Sequence, residues 1–181
     1  MPQPDVAPGQ RFEELALPHL DAAANLARWL VRDPALADDV VQDAMLRALT
    51  YFPTFRGGSA RAWLLRIVRN AAYDRLAERQ GRDAREVAIE GGADDPALDV
   101  PDPGAGPEAA MSGRQDRVRL RRALDALPVE QRECLILREL EELSYQEIVR
   151  VTGAPIGTVM SRLWRARQAL LRMPATVSHD A

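Results

Sequence analysis

The 181-residue chain is expected to be all-α, with two small helical domains joined by a flexible linker and a helix-turn-helix in the C-terminal one. Three observations predict this. Both flanks are rich in Ala, Leu and Arg, with apolar residues spaced by three and four and no alternating β-branched run, which is the period of an amphipathic helix. Residues 82–113 carry Pro96, Pro101, Pro103 and Pro107 and no lasting apolar period, a composition that does not bury a core. Near the C-terminus a short capped helix, a glycine turn and a longer Arg-rich helix follow in order, the layout of a helix-turn-helix. The expected domains are residues 10–81 and 114–173, with 82–113 as the linker.

The elements are justified in turn. A helix is expected from about Arg11 to Val31, irregular near Pro18. Asp33 and Pro34 are a good N-cap and first-turn pair, opening a second helix to about Phe52. A third starts after Ser59 and ends near Gly81, a residue suited to a helix C-terminus. In the second half, helices are expected from about Asp116 to Ala126 and from Val129 to Glu139. The run Ser144-Tyr-Gln-Glu147 reads as a capping box, opening a short helix that ends at Gly153. A last helix begins at Pro155 and ends before Pro174.

Composition narrows the function. The N-terminus lacks the basic and then apolar regions of a secretory signal, Cys134 is the lone cysteine, and no apolar stretch approaches the ~20 residues of a membrane span. A cytoplasmic protein without membrane insertion is expected. The net charge of −3 hides an uneven distribution: residues 82–113 hold 2 Arg against 8 acids, whereas residues 114–173 hold 12 Arg against 8 acids. All 24 basic residues are Arg, a usage that fits fork-shaped phosphate recognition but that a GC-rich coding bias explains better. With two histidines, one cysteine, no metal-spaced cluster and no Gly-rich phosphate loop, neither an enzyme nor a cofactor is expected.

Residues 143–171, LSYQEIVRVTGAPIGTVMSRLWRARQALL, carry the strongest signal. At about 100° per residue, Val159, Leu163, Ala166 and Leu170 form one stripe, and Thr158, Ser161, Arg162 and Arg165 form another. One face packs while the other is free to read DNA. Small hydroxyl residues at a helix start permit close approach to a groove, where backbone N–H groups meet phosphate and Arg forks onto guanine. Met160 and Trp164 occupy the remaining flank, either partly buried or against a thymine methyl.

Residues 155–167, with Leu127-Pro-Val-Glu-Gln-Arg132 and Leu143-Ser-Tyr-Gln-Glu-Ile148 ahead of them, resemble the C-terminal domain of RNA polymerase sigma factors of the extracytoplasmic-function type, in the sigma-70 family. The resemblance implies that this domain reads the −35 promoter element, with Ser161 and Arg165 on base edges and Thr158 and Arg162 on phosphates. Further upstream, the second helix gathers Asp38, Asp39, Gln42 and Asp43 opposite its apolar side. Residues 37–48 resemble the segment by which such proteins dock on core RNA polymerase, which implies that these four side chains make that contact.

The third helix sets Arg66, Arg69, Asn70 and Tyr73 on one face and Leu64, Ile67, Val68 and Ala71 opposite. Arginines interleaved with an aromatic and an amide suit single-stranded DNA, since Arg tracks phosphates and a ring offers a stacking platform. Residues 52–74 resemble the sigma segment that captures the non-template strand of the −10 element. By that resemblance a flipped base sits in the loop from Phe55 through Arg56 to Ser59, at an unstacking cost of a few kcal/mol, and melting needs no ATP. Promoter DNA, core polymerase and an anti-sigma factor are the implied partners. A 32-residue linker spans roughly 30 Å on average and roughly 110 Å drawn out, which covers two DNA elements two helical turns apart. The competing reading is a helix-turn-helix regulator that binds DNA without polymerase.

Overall fold

The computed structural model describes residues 8–86 and 117–172. Most of the expected linker and the last nine residues lie outside that range. All regular structure in the described residues is helical, arranged as an N-terminal and a C-terminal cluster.

Helix α1 covers Pro8–Ala16 and α2 covers Leu20–Val31, with a single 3-10 turn, Leu17–His19, between them. The expected irregularity at Pro18 is therefore a break, since proline supplies no N–H for the helical ladder. Arg32 ends α2 in the left-handed region, at φ 61°. Helix α3, Pro34–Tyr51, opens as expected: the Asp33 side chain accepts from the Leu36 N–H at 3.1 Å, and Pro34 takes the first helical position. After a 3-10 turn at Phe52–Thr54, Gly57 and Gly58 both adopt φ +93° and swing the chain into α4, Ala60–Glu86.

Helix α4 corrects the expected boundary at Gly81. It runs through that glycine, which lacks the positive φ of a helix-ending residue. Gly81 has no neighbour within reach of an added side chain, so here glycine lowers helix propensity without terminating the helix.

In the C-terminal cluster, α5 spans 117–125 and α6 spans Val129–Glu139. The guanidinium of Arg132, 3% exposed, donates to the carbonyls of Leu124, Asp125 and Leu127. It thereby satisfies acceptors that the end of α5 leaves open. Helix α7, Tyr145–Thr152, has the expected capping box, with the Ser144 hydroxyl accepting from the Glu147 N–H and the Glu147 carboxylate accepting from the Ser144 N–H at 3.0 Å. Gly153 closes it at φ 71°, and α8, Ile156–Leu171, follows.

The two clusters touch. Helix α4 packs on α2 and α3, and also on α7 of the other cluster, while α6 lies against α2. This explains why α4 buries two stripes. Leu64, Ile67, Val68 and Ala71 form the expected core face; Ala62, Leu65 and Ala72 form a second stripe, roughly 130° round the helix by its 3.6-residue period.

Candidate nucleic-acid interface

Helix α8 is held by Val159, Leu163 and Ala166, all buried, and by its tight turn from α7. Thr152 fastens that turn: its hydroxyl donates to the Ile148 carbonyl at 2.8 Å and accepts from the Ala154 N–H at 3.2 Å. The outward face carries the expected side chains, but not equally. Arg165 is exposed, whereas Thr158 and Ser161 are half-buried and joined by a 3.0 Å bond from the Ser161 hydroxyl to the Thr158 carbonyl. Arg162, also half-buried, leans on α6, where it counteracts the burial that raises the Glu133 carboxyl and pushes the Cys134 thiol up to about 11. Arg167 is tied to Glu139 at 2.6 Å. Met160 and Trp164 are exposed, with Ile156 beside them, so of the two sequence alternatives for that flank the structure leaves these side chains facing outward.

On α3, Asp38, Asp39 and Gln42 are exposed together, as the helical period requires. Asp43 departs from them: half-buried, it pairs with Arg47 at 2.9 Å, and Arg47 also reaches Asp74 on α4 at 2.7 Å. The sequence reading missed Leu46 and Leu49, which continue the exposed face one and two turns beyond Gln42 and are 60% and 49% exposed. Two leucines on the polar side of an amphipathic wheel were the available signal.

The α4 group is divided. Arg66 and Asn70 are exposed, but Arg69 and Tyr73 turn toward the C-terminal cluster. Arg69 Nε donates to Glu133 Oε1 at 2.5 Å and the Tyr73 hydroxyl donates to Glu133 Oε2 at 3.1 Å. The Arg69 guanidinium carbon also sits 4.3 Å from the Tyr73 ring centroid. Burial and the neighbouring Glu133 raise the Tyr73 hydroxyl well above its ordinary range, so it stays protonated as a donor. The expectation of a single open face on α4 is therefore corrected, because α4 packs on α7 of the C-terminal cluster and Arg69 and Tyr73 are drawn to Glu133 of α6.

The loop ahead of α4 is partly engaged as well. Phe55 stacks in an aromatic cluster with Phe52 and Trp63, at centroid distances of 6.4 and 5.1 Å. Arg56 is exposed and donates to the Pro53 carbonyl at 3.2 Å. Ser59 accepts from the Ala62 N–H, capping α4, while its hydroxyl reaches Glu147 of α7 at 3.2 Å.

Among the described residues, no group of His, Cys, Asp and Glu side chains is placed to hold a metal ion, and no helix is long and apolar enough to cross a membrane.

Comparison with known proteins shows the family. A family model described as Sigma-70 region 2 matches residues 15–82, and one described as Sigma-70, region 4 matches residues 117–170. The RNA polymerase sigma-H factor of Pseudomonas aeruginosa is 36% identical over 165 residues, covering 88% of this chain and 83% of that protein. The ECF RNA polymerase sigma-E factor of Escherichia coli is 38% identical over 138 residues, covering 73% and 70%. Among solved structures, the sigma factor RpoE in complex with the anti-sigma factor NepR, from Bartonella quintana, superposes with a TM-score of 0.68 at 30% identity, over 89% of this chain and 94% of that one. CnrH in complex with the cytosolic domain of CnrY gives a TM-score of 0.59 at 25% identity, over 90% and 86%. With both sigma-70 regions in order on one chain and ECF relatives matched over most of its length, this protein belongs to the extracytoplasmic-function sigma factors of the sigma-70 family, the non-enzymatic subunits that direct RNA polymerase to promoters.

Proposed function

We propose that three surfaces of this sigma factor divide the work of initiation. The outward face of α8 reads the −35 element, with Ser161 and Arg165 on base edges and Thr158 and Arg162 on phosphates. The exposed Asp38, Asp39 and Gln42, with Asp43 at their margin, dock on core polymerase, and Leu46 and Leu49 add an apolar strip to that contact. Helix α4 and its preceding loop, through Phe55, Arg56, Ser59, Arg66, Arg69, Asn70 and Tyr73, hold the non-template strand of the −10 element. Residues 10–81 and 114–173 are the two working domains. An anti-sigma factor controls the chain, as the complex of the related RpoE with NepR suggests.

One observation carries the DNA-reading assignment. Arg165 stands exposed on the second helix of a helix-turn-helix, while Arg167 on the same helix is occupied by Glu139. A guanidinium held out with its donors free is what a guanine edge or a phosphate requires.

The test is transcription by core RNA polymerase on pooled genomic fragments with and without the purified chain, mapping every start. New starts sharing two upstream motifs at fixed spacing are expected. If no new start appears while the chain alone retains a palindromic DNA site, the surface assignments fail and the chain acts on DNA without polymerase.

A further inference from the structure

Among the described residues, the hydrogen bonds that link side chains of the N-terminal cluster to carboxylates of the C-terminal cluster follow one pattern: the N-terminal side donates and the C-terminal side accepts. Glu133 takes Arg69 and Tyr73. Glu141 takes Arg61 and, at 2.6 Å, Asn25 of α2. Glu147 takes the Ser59 hydroxyl. Three of these donors, Ser59, Arg69 and Tyr73, belong to the surface assigned above to the −10 strand. We infer that Glu133, Glu141 and Glu147 stand in for the phosphates of that strand, making the C-terminal half an internal competitor that shuts the −10 surface until core polymerase separates the halves. This rests on the −10 assignment of α4.

Occupancy is exclusive. Both carboxylate oxygens of Glu133 are taken by −10 side chains, and Glu133 itself is completely buried. One face of the Tyr73 ring is covered by the Arg69 guanidinium, so the ring cannot offer that face to a base. Reversibility follows from the same burial. Desolvating a carboxylate and a guanidinium offsets most of their attraction, and burial accordingly raises the Glu133 carboxyl even beside Arg69. Opening returns both ions to water, so the contact specifies a closed arrangement without making it hard to leave. Free in the cell, the chain is thereby kept off single-stranded DNA that it would meet without polymerase.

The test uses the full chain and a fluorescent single-stranded oligonucleotide carrying the −10 segment mapped by the transcription experiment. The variant E133Q/E141Q/E147Q weakens the contact while keeping side-chain volume. A control, E13Q/E14Q/E142Q, removes the same charge from exposed positions. The latch variant is expected to bind the oligonucleotide about tenfold tighter than wild type and control, because apparent affinity scales with the open fraction. With core polymerase present the difference should vanish. No gain over the control, in a chain whose helix content is unchanged, overturns the inference.

A second variant guards against misfolding. N25C/E141C joins positions whose side chains lie 2.6 Å apart and belong to no surface assigned to DNA, and a reducible bismaleimide locks them; Cys134 is buried with its thiol pushed up to about 11 and does not compete. Locked chain should lose promoter opening and regain it on reduction; opening by the locked chain overturns the inference. The variant R66A/N70A, outside the latch, separates the two failures. Loss of −10 use in holoenzyme upholds the α4 assignment whatever the latch does, and no loss overturns that assignment.

Discussion

Replacing Arg165 with alanine sets one arginine of α8 against its neighbours. Arg162 leans on α6, Arg167 is bound to Glu139 at 2.6 Å, and Arg165 is exposed. A bidentate arginine–guanine contact is worth about 1–3 kcal/mol of base discrimination, which at 1.4 kcal/mol per tenfold predicts a loss of about 5- to 150-fold for R165A. R167A gives up an exposed ion pair worth about 0–1 kcal/mol, so its effect should be fivefold or less. The assay is holoenzyme affinity for promoter fragments with the −35 element intact or changed base by base, repeated across salt concentration. R165A should flatten discrimination at one or two base pairs and leave the salt slope nearly unchanged. A uniform loss across all sequences, with the slope reduced by about 1, would make Arg165 a phosphate contact. Equal losses for R165A and R167A would refute the argument from pairing altogether.

The double variant D39A/Q42A should weaken core polymerase binding without altering promoter choice, and L46D should weaken it by about tenfold or more, because burying a leucine in an interface is worth about 1.5–3 kcal/mol; titration of labelled chain into core polymerase checks both. Removing the α7 cap with S144A should cost about 1 kcal/mol, read as a lower Tm. Hydrogen bonds from the Ser144 N–H and hydroxyl hold the Glu147 carboxyl below its ordinary 4.5, so its contribution is present above that pH and lost as pH falls through the depressed value. Unfolding titrations should show this acid-side slope flattened in S144A. At Gly153, alanine meets no neighbour within 4 Å and pays only for the left-handed backbone, so denaturant unfolding of G153A should show about 1–2 kcal/mol lost.

Much of the fold was legible because its signals are local. Asp33-Pro34, Ser144 to Glu147 and Gly153 each fix a helix end through groups within four residues, and each occupies the structural position its chemistry indicates. Gly81 shows the limit of such reading. A glycine ends a helix only where the chain also turns left-handed, and that turn is set by the residues beyond it and their packing. On α8, periodicity separated the buried Val159, Leu163 and Ala166 from the outward face, but it did not say that Arg167 would find Glu139, a residue 28 positions away. Leu46 and Leu49 were visible in the sequence and were passed over because the acidic residues beside them defined the face.

Glu133 shows why the contact between halves was not legible. In sequence it abuts the apolar run Cys134-Leu-Ile-Leu137, which reads as a core helix with a charged neighbour. Nothing local tells a carboxylate in water from one buried under two donors from the other helical cluster. The same ambiguity applies on α4, because a surface that binds phosphates and a surface that binds glutamates require the same Arg and Tyr side chains. Which partner occupies it is a matter of populations. If the closed arrangement were favoured 100 to 1, bringing it to 99% open would require polymerase to prefer the open form by about 10⁴, or about 5.5 kcal/mol. An interface of ordinary size, about 1,600 Å², supplies that preference only if polymerase engages surfaces on both halves that the closed chain cannot present together. If the proposed α3 contact were the only one, polymerase would bind without opening the chain, because that face is exposed in the closed arrangement. On the proposed latch, contact with the C-terminal half would carry the opening, and chains altered at Glu133, Glu141 and Glu147 should depend on that second contact least.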